Sequence, residues 1–148
     1  MKLPHWLLPG LQRGLAQRRQ AEADLRFRVL NLDRQTVLAS NMEVADSGAK
    51  RSKGLLGRKG LAPGGGLWIV PCESVHTFGM QFAIDLVYLD RQRRIRKIRN
   101  SVPPWRLSAC LSAHSILELP SGSVAGTGSQ RGDRLEFSDA SNPLNVIR

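Results

Sequence analysis

Apolar and polar residues alternate along this chain over short stretches, separated by turns rich in Gly, Pro and Asp. Leu25, Phe27 and Val29 alternate with Arg26 and Arg28, the period of a half-buried strand. Asp33-Arg34-Gln35 reads as a turn and Thr36 to Ala45 as the returning strand. Ser47 is placed to cap a short helix ending near Gly57, with Ala49, Leu55 and Leu56 on its buried side. Pro63-Gly64-Gly65-Gly66 is a turn, and Leu67 to Val70 is a continuous apolar run that predicts a buried strand. Phe82 to Leu89 is the strongest strand signal, rich in Ile, Leu, Val and Tyr. Asp90 to Arg93 turns it back through Arg94 to Arg99, and Pro103-Pro104 ends that strand because proline has no N–H for the ladder. Ile116 to Leu119 and Arg134 to Phe137 predict two more short strands, with a loop or single helical turn from Gly122 to Gly128 between them.

This pattern predicts a mainly β (α+β) fold: one compact β-sandwich or partly closed β-barrel with one short helix. Residues 1–24 are expected to form a basic, amphipathic helical arm broken at Pro9 and Gly10, residues 25–137 the domain, and residues 138–148 a polar, loose tail. A length of 148 residues suits one core. The arm does not read as a signal peptide, because Arg13, Arg18 and Arg19 separate its apolar part from Ala21-Glu22-Ala23. No stretch is long and apolar enough to span a bilayer. The expected location is the cytoplasm, or the inner membrane as a peripheral protein.

Several blocks resemble, in order, those of the domain of unknown function 192 (DUF 192) family. Lys53-Gly54-Leu55-Leu56-Gly57-Arg58 is similar to the family's helix end, and Gly66-Leu67-Trp68-Ile69 to its first core strand. The most specific block runs from His76-Thr77-Phe78-Gly79-Met80 through Ile84-Asp85 to Leu89-Asp90. Ile116-Leu117-Glu118-Leu119-Pro120-Ser121-Gly122 and Gly132-Asp133-Arg134-Leu135 complete the order. The resemblance covers residues 25 to 137 and implies a compact β-rich domain, with no established activity, cofactor or catalytic residue.

Candidate chemistry gathers around the strongest block. Arg58 is an obvious bidentate partner for a carboxylate such as Asp85. Two readings follow: an Arg58–Asp85 clasp pinning helix to strand, or a ligand pocket rimmed by Arg58, His76 and Asp85 and walled by Trp68, Phe78 and Met80. Cys72 and His76, like Cys110 and His114, stand four apart, so the four could hold zinc if their loops met. Cys72, His76 and Asp85 also suggest a thiol- or metal-assisted hydrolase. No Gly-x-Ser-x-Gly elbow or phosphate-loop ending occurs, and no cofactor is expected.

Charge adds a third class. Lys and Arg number 22 against 12 Asp and Glu, for a net charge of +10. Arg91, Arg93, Arg94, Arg96, Lys97, Arg99 and Arg106 crowd one hairpin and make a candidate anion-binding surface for nucleic acid or anionic lipid. The alternative is a solvated hairpin whose charge protects an edge. A non-enzymatic accessory or small-ligand-binding domain, its partner a small molecule or a protein, is the leading expectation.

Overall fold

The structure, a computed structural model, describes residues 13–17 and 25–147. Residues 13–17 are helical (α1); the rest of the expected arm lies outside the described residues. The domain runs β1 (Phe27–Asn31), β2 (Thr36–Ala45), α2 (Gly48–Lys53), β3 (Gly65–Ile69), β4 (Ser74–His76), β5 (Ile84–Leu89), β6 (Ile95–Val102) and β7 (Leu107–Ala109). It ends with β8 (Ser115–Pro120), α3 (Ser123–Thr127), β9 (Leu135–Asp139) and β10 (Val146–Ile147). Eight strands form one sheet in the order β10-β9-β1-β2-β3-β8-β5-β6, and β4 pairs with β7 in a second, small one.

The large sheet curls so that its β6 side meets the start of β9. Arg94 bridges to Arg134, and the Ile95 N–H donates to the Asp133 carbonyl at 2.9 Å. The mainly β expectation holds, with partial closure at this corner. Pairs are antiparallel except β2–β3, which α2 and the following loop join as a parallel crossover. Ser47 caps α2 by accepting from the Lys50 N–H, as its sequence position predicts.

Alternation sorts the core into two clusters, one on each face of the sheet. Val87, Leu89, Leu117 and Leu119 join Val29, Met42 and Phe137, with Trp68 packed against them. Ile84, Leu86, Tyr88 and Ile116 join Leu67, Ile69, Leu55 and Met80. Gly66 lets β3 and β8 come close, since a Cβ there would lie 2.8 Å from the Glu118 carbonyl and 2.9 Å from Met42 Sδ. Leu67 then stands beside Glu118 in register.

Residues 138–147 hold more regular structure than their polarity suggests. Ser138 and Asp139 extend β9, and Val146 and Ile147 pair with Ser138 and Phe137. The short strands β4, β7 and β10 carry too few positions to show a period and were not expected.

Candidate functional site

The predicted pocket residues are not brought together, and alternation is the reason. Asp85 shares the Val87–Leu89 side of β5, whereas Ile84, Leu86 and Tyr88 face the opposite cluster. Trp68 likewise turns away from its neighbours Leu67 and Ile69, and packs on Phe27 and Phe137 at centroid distances of 5.6 and 4.4 Å. His76 and Met80 stay together on the side of the second cluster, with Phe78 stacked on His76.

The Arg58–Asp85 clasp is corrected in the same way. Arg58 donates bidentately to Glu43 on β2, at 2.8 and 2.9 Å, and these bonds hold the Glu43 carboxyl below its usual range. Asp85 is 0% exposed and accepts three backbone N–H groups: Ser101 at 2.8 Å, Gly122 at 3.1 Å and Val124 at 3.0 Å. It ties the end of β6 and the start of α3 to β5. Its oxygens are therefore committed to backbone, which removes it from both the pocket and the proposed Cys72-His76-Asp85 triad. Cys72 donates its thiol to the Ser74 carbonyl at 3.1 Å, and burial pushes the thiol pKa up, the opposite of an activated nucleophile.

The zinc quartet does not assemble either. The loops do meet, since the Cys72 N–H donates to the His114 carbonyl at 2.8 Å. They meet through backbone, however, and among the described residues no group of three or more His, Cys, Asp and Glu is placed to hold a metal ion. Cys72 and Cys110 are both free thiols packed at the edge of the second cluster.

A cavity of about 110 Å³ does open on this side, between α2, β4 and β8. Cys72, Ser74 and His76 form one wall, Arg51, Lys53 and Leu55 another, and Glu118 lies at its floor. Glu118 is 3% exposed, and its Oε2 has no hydrogen-bond partner. Burial raises its pKa to about 7, with the Arg58 charge opposing. An unsatisfied buried carboxyl is costly and calls for a partner. Sequence reasoning passed over Glu118, although a charge inside the apolar run Ile116-Leu117-Glu118-Leu119 was a visible signal.

The arginine-rich hairpin is divided rather than gathered. Arg93 lies over the Phe137 and Trp68 rings at 4.9 and 5.8 Å and donates to the Ile147 carbonyl. Burial lowers its pKa. Arg94 donates to the Gly132 carbonyl at 2.8 Å. Lys97 and Arg99 stand instead on the Tyr88 side, in register with Tyr88 and Leu86. A β-hairpin distributes its side chains over two faces, so the run is not one patch.

Comparison with known proteins agrees with the fold. The DUF192 family, described as an uncharacterized ACR, matches residues 29–137. A UPF0127 protein from Thermococcus sibiricus (strain DSM 12597 / MM 739) is 27% identical over 118 residues, covering 74% of this chain and 73% of its own. A solved structure from Sinorhizobium meliloti 1021, described as a "putative transcription regulator", superposes with a TM-score of 0.68 at 23% identity, over 76% of this chain and 92% of that one. A protein of unknown function from Novosphingobium aromaticivorans DSM 12444 gives 0.65 at 21% identity, over 75% and 83%. Identities this low establish the shared fold alone. Among the described residues, no helix is long and apolar enough to cross a membrane.

Proposed function

The chain belongs to the DUF192 family, and from that premise we propose that it is a small-ligand-binding domain whose site is the cavity above Glu118. The observation that carries this reading is the orphaned carboxyl. Glu118 is buried, its Oε2 lacks a partner, and open space lies beside it. A ligand that brings a cationic or hydrogen-bond-donating group satisfies that oxygen. Arg51 and Lys53 at the opening suit an anionic end of the same molecule. Of the residues expected from sequence to form the pocket, His76 and Met80 line this cavity and Arg58, Trp68, Phe78 and Asp85 do not; Cys72, expected there for other chemistry, lines it as well.

Chemical-shift mapping with a panel of small amines, alcohols and carboxylates tests the reading. Perturbations are expected at Gly54, Leu55, Cys72 and His76, and Glu118→Leu should abolish them. Binding of amines should tighten as pH rises through about 7, where Glu118 ionises. Perturbations elsewhere, or perturbations that survive Glu118→Leu, overturn it.

A further inference from the structure

Beside the cavity, and sharing His76 with it, the most specific sequence block builds a second surface. His76, Phe78 and Trp105 stack as a staircase of rings. Centroids lie 5.1 Å apart from His76 to Phe78 and 6.0 Å from Phe78 to Trp105, with planes tilted by 25° and 24°. All three are exposed; Phe78 is 44% and Trp105 67% accessible. Apolar rings this open in water are held there by something other than burial.

That something is Thr77, which is buried between them. Its N–H donates to the Arg106 carbonyl at 2.8 Å, and its carbonyl accepts from the Trp105 N–H at 3.0 Å. Its hydroxyl donates to the Pro103 carbonyl at 2.8 Å and accepts from the Arg106 N–H at 2.9 Å. These four bonds fasten the loop after β4 to the loop before β7. They also hold Trp105 at a φ of 63°, a left-handed conformation that a bulky residue rarely adopts. Strain of this kind persists only where the surroundings over-determine it, and it is common at functional surfaces.

The segment that carries Trp105 has charge of one sign, while exposed Glu73 lies three residues before His76. No Asp or Glu occurs from Arg91 to Leu117. Arg106 follows Trp105 directly and is exposed, and Lys97 and Arg99 share the side of β6 on which β7 lies. Lys97 reaches the Ala109 carbonyl on β7 at 2.7 Å. Flat rings take bases by stacking, and flanking cations take phosphates. We infer that the His76–Phe78–Trp105 staircase, with Lys97, Arg99 and Arg106, is a docking surface for single-stranded nucleic acid. This surface shares His76 with the wall of the Glu118 cavity, but Phe78, Trp105, Lys97, Arg99 and Arg106 do not line that cavity, so the inference does not depend on a ligand there.

Tryptophan fluorescence of the full chain, titrated with oligonucleotides of about twelve residues, tests the inference. Unpaired DNA and RNA should both quench Trp105, and a duplex of the same length should bind at least tenfold more weakly. With three phosphates neutralised, affinity for single strands should fall about twentyfold between roughly 50 and 200 mM salt. Trp105→Gly suits the left-handed backbone, so it keeps the loop while deleting the ring; it should weaken binding about tenfold, read by anisotropy of a labelled oligonucleotide. Arg106→Gln should instead lower the salt dependence. Equal binding of duplex and single strand, unchanged affinity in Trp105→Gly, or binding only to anionic vesicles would each overturn the inference.

Discussion

Asp133 and Glu118 are both buried carboxylates, yet their surroundings are opposite. Asp133 sits where the sheet closes on itself. It accepts from Asn31 Nδ2 at 3.0 Å, from Arg34 at 3.0 and 3.2 Å, and from the Gln130 N–H at 2.9 Å. The Arg34 hydrogen bond, above all, holds its pKa at about 2. Glu118 sits where the sheet face is left open under α2, and it has burial without bonds. One corner commits its charge to stability; the other leaves its carboxyl without a hydrogen-bond partner. Asp85 falls with Asp133, which is why a carboxylate that looked functional in sequence is structural.

The contrast between bonded and unbonded carboxylates can be broken by substitution, most severely at Asp85. Asp85→Ala strands three backbone N–H groups and should cost about 4 kcal/mol in urea unfolding. A loss below about 1 kcal/mol would mean that water replaces the carboxylate freely. Glu118 should behave in the reverse sense. The folded chain keeps this proton to about 7, whereas an ordinary glutamate loses it near 4.5. Stability should therefore decline as pH rises between those values, by on the order of 3 kcal/mol, and stay level above. Glu118→Gln should flatten that decline, and urea melts at intervals across the window measure it directly.

Asp133 sharpens the comparison from the acid side. Its depressed pKa means that its contribution is present above 3.8 and disappears as pH falls toward about 2. Asp133→Asn should cost about 1.5 kcal/mol at neutral pH, a modest figure because Arg34 approaches from solvent and is screened. The variant should also lose the acid dependence between those values, as followed by circular dichroism. The smallest effect is expected at Trp105. Trp105→Gly should change stability by less than about 1 kcal/mol, since relief of the left-handed backbone offsets the lost contact with Phe78. A large loss in a thermal melt would make that ring a packing element rather than an exposed surface.

Much of the fold is legible in the sequence. Thr36–Ala45 is a strand with the bounds its pattern predicts, Ser47 caps its helix, and the runs around Leu67, Val87, Leu117 and Leu135 are core strands. The order of motifs also pointed to the right family. The site was less legible. Arg58 had a carboxylate partner as expected, but the chain offered several, and chemistry alone could not choose Glu43 over Asp85. The stacking of Phe78 on Trp105 joins residues from two loops, and no local period announces it.

The sequence by itself determined which stretches are strands, because a period of two is a local property set by each residue's neighbours. It also places Glu118 as a charge where every adjacent residue is apolar, a signal whose meaning only the burial of that carboxyl supplies. Only the tertiary structure decided which faces meet. Register between β3, β8 and β5 places Leu67, Glu118 and Leu86 side by side and sends Asp85 and Trp68 to the opposite face. That register comes from pairing between residues far apart in the chain, and a one-residue shift would exchange the two faces entirely.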